Sequence, residues 1–369
     1  MKKNKILTIF GTRPEAIKMA PLIKEIEKRS DKLESFVCVT AQHRQMLDQV
    51  LNLFEIKPDF DLDIMKNNQN LWSLTSDVLI KTKEVIEKTN PDIVLVHGDT
   101  TTSMATALSA FYSKVPIGHV EAGLRTFNKY YPFPEEINRV FTDAVSTLHF
   151  APTEKACQNL INAQIPKDHI YNTGNTVIDA LLYTVKNHPG EIKGLKLNTD
   201  LKTILVTSHR RENFGEPLKE ICSAILSLVN NNNDIQVVYP VHPNPNVRKT
   251  VYELLSGNER IHLTEPLEYA EFCSLMKKSH IILTDSGGVQ EEAPSLGKPV
   301  LVLRDTTERP EAIEYGTVKL AGTNKEKILS LVQNLLDNKE AYKKMSEAIN
   351  PYGDGLASKR ITDVLINFS

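Results

Sequence analysis

Carboxylates stand in three polar segments that follow a predicted strand or open a predicted helix. Asp99 follows a continuous apolar run, Glu121 ends another, and Glu135 opens a helical pattern. Paired carboxylates can act as general acid and base. A carboxylate at the end of an apolar strand is costly unless it is paired or used, which favours a functional Glu121. Asp99 could instead be a helix N-cap, and Glu135 could simply favour a helix dipole.

A turn rich in cations follows the first apolar run of the chain. Gly11 ends that run, Pro14 suits the first helical position, and Arg13 and Lys18 add positive charge. Because a helix N-terminus offers free backbone N–H groups, the segment predicts an anion site. The alternative is an N-cap beside two solvated cations. The spacing matches neither the dinucleotide fingerprint nor the phosphate-binding P-loop.

The second half of the chain has its own polar strand ends. His209 and His242 each follow an apolar run, and Arg309 lies in a charged segment after a third. A Ser-Gly-Gly sequence at 286–288 opens a helical pattern that contains Glu292. Small residues with backbone N–H groups at a helix start predict a diphosphate cradle, with Glu292 available to ribose hydroxyls. The alternative for a Gly-Gly pair is an ordinary turn.

An alternation of strands and helices places all these segments at strand ends. We predict strands over 6–10, 36–40, 93–96, 116–121, 203–207, 235–240, 261–263, 281–284 and 300–303. We predict helices from 15 onward and over 45–54, 72–87, 101–112, 136–144, 217–229, 246–255, 269–277, 290–296 and 358–366. This order is typical of doubly wound α/β sheets with parallel strands. Their ligands bind at the carboxyl ends of the strands.

Composition limits the class of protein. The 369 residues are 41% hydrophobic and 24% charged, which indicates about two soluble domains. The net charge of −2 lacks the basic excess of a nucleic-acid binder. The four cysteines show no Cys-x-x-Cys spacing and the ten histidines no metal-ligand pair, so we expect no metal. No apolar stretch approaches the roughly 18 residues of a membrane span, and none resembles a signal peptide. We therefore expect a cytoplasmic protein with free thiols.

Long motifs across the chain resemble one known family. They lie at 11–21, 97–100, 120–125, 134–136, 209–213, 285–297, 304–310 and 352–355. They closely resemble the bacterial non-hydrolysing UDP-N-acetylglucosamine 2-epimerases. The resemblance implies a GT-B-like fold, in which two doubly wound, Rossmann-like domains face each other across a cleft. We predict an N-terminal domain over 1–172, a UDP-binding domain over 173–352, and a helix in 353–369 that crosses back to the first domain.

The resemblance also implies an activity and a setting. It predicts a homodimer that interconverts UDP-GlcNAc and UDP-ManNAc without metal or NAD, for surface polysaccharide synthesis. The C2 proton of a UDP-sugar is not acidic, so inversion needs either transient oxidation or prior loss of UDP. Because the dinucleotide fingerprint is absent, we expect elimination of UDP to a 2-acetamidoglucal, followed by re-addition. That route needs tuned carboxylates and cations that stabilise the departing UDP.

Roles for individual residues come from the family's motifs. The resemblance implies catalytic roles for Asp99, Glu121, Glu135 and His209, without deciding which carboxylate takes the proton. Arg13 and His209 would assist at the diphosphate, and Glu292 would hold the ribose. The remaining substrate contacts would come from Lys18, Arg139, Leu267, Phe272, Ser286, Gly287, Gly288 and Arg309. Of these, Phe272 and the backbone near Leu267 would flank the uracil.

Many bacterial members of this family also bind a second UDP-GlcNAc as an activator. The residues that match this regulatory site are Gln42, Gln45, Glu135, Arg210 and His242. One departure is Asn68, which stands where the family pattern has an arginine. A lost cation there would weaken activator binding.

Three alternatives share much of the pattern. A GT-B glycosyltransferase would use the same nucleotide cradle but would need an acceptor pocket in place of Asp99, Glu121 and Glu135. A hydrolysing epimerase would release free ManNAc. A non-catalytic UDP-sugar sensor is disfavoured by the intact acids.

Overall fold

The chain divides into two compact units. A computed structural model describes residues 3–40, 44–64, 69–190, 192 and 194–368, with only the backbone described at 44–46. The first unit comprises 1–180 together with 352–369, and the second comprises 181–351. The first unit is therefore discontinuous in sequence and contains both ends of the chain.

A parallel sheet forms the centre of the first unit. Its strands are β1 Asn4–Phe10, β2 Leu33–Val39, β3 Phe60–Asp61, β4 Ile93–His97, β5 Ile117–Val120, β6 Leu148–Ala151 and β7 Ile170–Asn172. Within the described residues their order is β3-β2-β1-β4-β5-β6-β7, and each neighbouring pair is parallel. The order reverses direction between β1 and β4. Ligands bind at such a switch point in open α/β sheets.

Helices cover this sheet. They are α1 Arg13–Lys28, α2 Arg44–Leu53, α3 Leu71–Thr89, α4 Thr101–Tyr112, α5 Glu135–Val145, α6 Glu154–Asn162, α7 Thr176–Asn187 and α15 Ala357–Ile366. The last helix, α15, packs on α1. The Asn4 Nδ2 atom donates to the Leu365 and Phe368 carbonyl oxygens at 3.1 and 2.6 Å. The two ends of the chain are thus tied together in one unit.

The second unit repeats the architecture. Its strands are β8 Lys202–Thr207, β9 Ile235–Pro240, β10 Ile261–Thr264, β11 Ile281–Thr284, β12 Val300–Val302 and β13 Val318–Leu320. In the part that the structure describes, the parallel order is β10-β9-β8-β11-β12-β13. Its helices are α8 Glu216–Asn231, α9 Pro245–Leu255, α10 Tyr269–Lys278, α11 Gly287–Glu292, α12 Pro310–Glu314, α13 Lys325–Asp337 and α14 Lys339–Ser346. The predicted α/β class with parallel sheets is confirmed.

The division between the units falls inside α7, whereas the sequence places it at 172. The first turn of α7 stays with the first unit because it is bonded to the returning chain. The Asp179 carboxylate accepts from the Ala357 and Ser358 backbone N–H groups at 3.2 and 2.8 Å and so caps α15. This cap joins two segments that are remote in sequence.

Several elements escaped prediction, namely β3, β6, β7, α6, α7, α12, β13, α13 and α14. All four cysteines are buried, and none forms a disulfide within the described residues. Of the helices in those same ranges, none is long and apolar enough to cross a membrane. Nor do the described side chains include a group of three or more His, Cys, Asp or Glu suited to a metal ion.

Candidate active site

Glu121 lies directly after β5, and its carboxylate contacts side chains from other elements. Its side chain is 11% exposed and forms an ion pair with the Lys18 ammonium on α1. The Asn175 Nδ2 atom donates to Glu121 Oε2 at 2.8 Å, and His97 Nε2 lies 3.8 Å from the same oxygen. The structure therefore brings together Glu121 and Lys18, which the sequence predicted for one site. It adds Asn175 and His97.

His97 ends β4 and is buried beside this carboxylate. Burial lowers the pKa of His97 to about 3, although the Glu121 charge opposes the shift. The imidazole is therefore neutral at neutral pH. Its Nε2 atom is buried and makes no hydrogen bond to any described residue.

Asp99 is paired with a cation from α5. The Arg139 guanidinium bonds the Asp99 carboxylate, and Asn138 Nδ2 donates to the Asp99 backbone oxygen at 2.9 Å. The N-cap of α4 is Thr100, whose hydroxyl oxygen accepts from Ser103 N at 3.1 Å. A threonine thus performs the capping that Asp99 could have performed, so the Asp99 side chain is left for the contact with Arg139.

The neighbouring acids Glu135 and Glu136 have different surroundings at the start of α5. Glu136 is buried and accepts from the Thr126 and Phe127 backbone N–H groups at 3.0 and 2.9 Å. It also lies 3.3 Å from Arg139 Nη1. Glu136 therefore holds the preceding loop. Glu135 Oε2 is a buried atom with no hydrogen bond to any described residue, which makes Glu135 the better candidate for chemistry.

The cation-rich turn differs in one respect from the sequence prediction. The buried Glu15 carboxylate accepts from the Gly11 and Thr12 backbone N–H groups at 3.1 and 2.8 Å. It also accepts from the Thr100 hydroxyl at 2.7 Å, and burial raises the pKa of Glu15. The Gly11 and Thr12 backbone donors of this turn are therefore occupied by the Glu15 side chain and are not open to an anion. Arg13 retains a buried Nε atom without a hydrogen bond to the described residues.

A buried network supports the loop that carries Asp99. His119 Nδ1 lies 2.6 Å from Asp143 Oδ1, and His119 Nε2 lies 2.7 Å from the Gly98 carbonyl oxygen. Arg125 Nη2 is 2.7 Å from Asp143 Oδ2. Burial alone would raise the pKa of Asp143, but His119 and Arg125 outweigh it and the pKa is lowered. The network fixes Gly98, the residue before Asp99.

In the second unit a fully buried acid, Asp285, organises the segment after β8. Its Oδ2 atom accepts from Ser208 Oγ at 2.8 Å and from His209 N, Arg210 N and Asn213 Nδ2 at 2.9 Å each. Burial would raise the pKa of Asp285, but hydrogen bonds and the His209 charge outweigh it and lower the pKa. Asp285 thus fixes the backbone on which His209 stands.

Two predicted histidines meet at these strand ends. His209 Nδ1 lies 3.2 Å from Asp285 Oδ1, and the rings of His209 and His242 stack with centroids 5.6 Å apart. The Asn244 backbone N–H donates to His242 Nδ1 at 3.2 Å, so the ring proton of neutral His242 lies on Nε2. Burial, followed by the charge of His209, lowers the pKa of His242.

Several residues predicted for a diphosphate cradle lie around the start of α11. Gly287 is buried, and a Cβ atom built on it would lie 3.5 Å from Arg309 Nη2. Glu291 bonds Arg309 Nε, and a Cβ atom on Gly288 would lie 3.9 Å from Glu292 Oε1. Four predicted positions, 287, 288, 292 and 309, are therefore neighbours. Ser286 is the N-cap residue, and its side chain makes no cap hydrogen bond.

Some predicted residues stay outside this assembly. Leu267 lies in the loop before α10, and Phe272 lies on that helix, so their role beside a uracil base stays a prediction. Gln42 and Asn68 fall outside the described residues, as does the side chain of Gln45.

Several functional candidates were missed by the sequence reasoning. They are His97, His119, Glu136, Asn175 and Asp285. Each stands inside or next to a polar strand-end segment, which is the signal that could have found it.

Comparison with known proteins identifies the relatives of this chain. A family model described as UDP-N-acetylglucosamine 2-epimerase matches residues 24–366. The UDP-N-acetylglucosamine 2-epimerase of Bacillus subtilis is 57% identical over 366 residues, covering 99% of this chain and 96% of the relative. The enzyme of the same name from Campylobacter jejuni is 56% identical over 374 residues, covering 98% and 97%.

Solved structures agree with these relatives. The UDP-GlcNAc 2-epimerase of Neisseria meningitidis bound to UDP-GlcNAc superposes with a TM-score of 0.86 at 53% identity, covering 98% of this chain and 100% of that one. The Methanocaldococcus jannaschii UDP-GlcNAc 2-epimerase in complex with UDP-GlcNAc and UDP has a TM-score of 0.77 at 36% identity, covering 98% and 99%. A glycosyltransferase from Rickettsia africae has a TM-score of 0.62 at 16% identity, covering 100% and 99%. The last likeness concerns the fold alone.

Proposed function

Since this chain belongs to the UDP-N-acetylglucosamine 2-epimerase family, we propose that it interconverts UDP-GlcNAc and UDP-ManNAc by eliminating and re-adding UDP. One observation carries the proposal. Two carboxylates, Asp99 and Glu121, follow the neighbouring strands β4 and β5, and each is bonded to a cation. Two carboxylates whose charges are balanced by cations therefore lie at the carboxyl edge of one sheet. Carboxylates placed in this way can act as general acid and base on a sugar.

The proposed reaction has two balanced halves. In the first, a carboxylate takes the C2 proton, the electron pair forms the C1–C2 double bond, and the C1–oxygen bond breaks with its electrons leaving on UDP. In the second, an acid delivers a proton to the opposite face of C2 while a UDP oxygen attacks C1. Because both halves return the groups to their starting state, no oxidant or reductant is consumed.

The first unit supplies the proposed proton chemistry. Asp99, Glu121 and Glu135 are the acids we assign to the sugar, and the order in which they act stays open. Lys18 and Arg139 compensate the charges of two of them, which limits the cost of holding carboxylates in a partly buried site.

The second unit supplies the proposed UDP contacts. The Ser286 hydroxyl, the backbone N–H groups at 287 and 288 and the Arg309 guanidinium would bind the diphosphate, because charge accumulates there when UDP leaves. The Ser286 backbone N–H itself donates to Thr284 Oγ1 at 3.0 Å. We assign Glu292 to the ribose, and Leu267 and Phe272 to the uracil. His209, oriented by Asp285, and Arg13 of the first unit are proposed as further diphosphate contacts.

The decisive experiment follows hydrogen at C2. The purified protein is incubated with UDP-GlcNAc in deuterium oxide, and both nucleotide sugars are recovered. We expect UDP-ManNAc, with deuterium at C2 in both sugars, because each elimination exchanges that proton with solvent. Epimerisation without deuterium at C2 would refute elimination. Free ManNAc as the main product would indicate the hydrolysing reaction, and transfer of the sugar to an acceptor would indicate a glycosyltransferase.

We further propose a regulatory site and a setting for the enzyme. A second UDP-GlcNAc would bind Gln42, Gln45, Glu135, Arg210 and His242. The stacked rings of His209 and His242 support a link from this site to the catalytic histidine. The family resemblance supports a cytoplasmic homodimer whose product supplies surface polysaccharide synthesis.

A further inference from the structure

Two links connect the units, because the chain leaves the first unit after residue 180 and returns to it at residue 352. Residues 174–175 of the outgoing link lie against residues 352–353 of the returning link. The Asn175 backbone N–H donates to the Tyr352 carbonyl oxygen at 2.7 Å. Gly174 has a φ of +85°, and a Cβ atom on it would lie 3.3 Å from Gly353 Cα. Two glycines therefore let the two links pass in direct backbone contact.

The Asn175 side chain has one defined orientation where the two links meet. The residue is 3% exposed, and its Oδ1 atom accepts from the Val177 backbone N–H at 3.0 Å. Because this bond identifies the amide oxygen, the other amide atom must be the nitrogen donor. That donor, Nδ2, bonds Glu121 Oε2 at 2.8 Å.

Glu121 depends on such contacts more than most side chains do. Its φ of +64° lies in the left-handed region, where a residue with a Cβ atom is strained and persists only when its surroundings hold it. The groups that face its carboxylate come from separate elements: Lys18 from α1, His97 from β4 and Asn175 from the outgoing link. Of these, Asn175 holds the carboxylate by an uncharged donor.

We infer that Asn175 is a positioning residue for Glu121, and that it couples this carboxylate to the two links between the units. The inference rests on the proposed function, in which Glu121 acts on the sugar. The backbone N–H of Asn175 bonds the Tyr352 carbonyl oxygen, and its side-chain Nδ2 bonds the Glu121 carboxylate. A displacement of either link is therefore transmitted to the orientation of Glu121.

Asn175→Asp is the sharpest variant for this inference. Aspartate is nearly isosteric and can still accept from Val177 N, but it places an acceptor where Glu121 needs a donor. We expect kcat to fall about tenfold or more at pH 8, with KM and UDP affinity within about twofold. A proton shared by the two carboxylates restores a donor, so the ratio of variant to wild-type kcat should rise towards about pH 5. Asn175→Ala should lose kcat without this recovery.

A double-mutant cycle separates positioning from general damage. In a Glu121→Gln background the Asn175→Asp change should cost less than about twofold, because the carboxylate it acts through is gone. Asn232→Ala is the matched control, since Asn232 is an amide of the second unit that donates to the Leu228 carbonyl oxygen at 2.9 Å. Its kcat should match that of the wild type.

The outcomes distinguish the inference from the proposed function. A wild-type protein that forms no UDP-ManNAc, or a Glu121→Gln variant with full turnover, refutes the proposed function. With those two results as expected, wild-type kcat in Asn175→Asp refutes the inference. So does an equal loss in both backgrounds, or a loss with no recovery at low pH.

Discussion

In the first unit, the candidate acids Asp99 and Glu121 are bonded to cations from neighbouring helices. In the second unit, the buried acid Asp285, which follows β11, is bonded to backbone and side-chain donors of the segment after the neighbouring strand β8. The carboxyl edges of the two parallel sheets thus hold their acids in different ways. One edge pairs its acids with largely buried cationic side chains from neighbouring helices. The other uses an acid to build a rigid loop that presents His209.

The largest effect on kcat is expected when an acid of the first unit is removed. Asp99→Asn keeps the size of the side chain but cannot accept or deliver the proton, so kcat should fall by about a hundredfold or more. UDP affinity should stay within about twofold, because Asp99 is not among the residues proposed to bind the nucleotide. Steady-state kinetics and calorimetric titration with UDP measure the two effects.

The control for this variant is Asp31→Asn, which changes an exposed acid of the same unit and should leave kcat unchanged. Full turnover in Asp99→Asn would remove Asp99 from the chemistry. A parallel loss of UDP affinity would contradict the division of labour between the two sheets.

An intermediate effect is expected in the second unit, on stability and its pH dependence. Asp285→Ala leaves four donors without their acceptor, so the free energy of unfolding should fall by about 3 kcal/mol. Because the pKa of Asp285 is lowered on folding, its contribution is complete above the ordinary value of 3.8 and decreases as the pH falls below it. Urea unfolding at several pH values measures both quantities.

Asp285→Asn sharpens this measurement, since it keeps an acceptor oxygen without the charge. Its stability should depend less on pH below 3.8 than that of the wild type. An identical pH dependence in the two proteins would show that Asp285 is not the group responsible.

The smallest expected effect concerns the stacked histidines. His242→Phe keeps a ring beside His209 but removes the Nδ1 acceptor, so maximal kcat should change by no more than about threefold. The proposed activation should suffer instead, and a sigmoidal dependence of rate on UDP-GlcNAc should become hyperbolic. Unchanged sigmoidal kinetics would exclude His242 from regulation, and a hyperbolic wild-type curve would exclude the activator.

The sequence predicted the fold well where strands were long, apolar and followed by glycine or charge. Short strands such as β7 were not predicted. Helices such as α13 were also missed, because they do not follow one of the polar strand-end segments from which the prediction was made. Asp99, Glu121 and His209 became candidates because polar residues stood out at the ends of apolar runs, and their roles stay predictions.

Contacts between remote segments could not be found in this way. The Asn175–Glu121 bond joins residues far apart in the chain, and nothing in the local pattern at 173–176 specifies it. The backbone donors of the first turn are a different case, because Thr12 and Glu15 form a capping box, a local pattern that the sequence itself could have indicated.

The discontinuity of the first unit has a consequence for synthesis on the ribosome. The second unit is one continuous stretch, 181–351, so its whole chain has emerged before the first unit has received its last helix. Until α15 is translated, the surface of α1 on which it packs stays uncovered. We therefore expect the second unit to mature first, the reverse of the usual N-terminal-first order. Removal of α15 should therefore destabilise the first unit, although most of that unit is translated before the second.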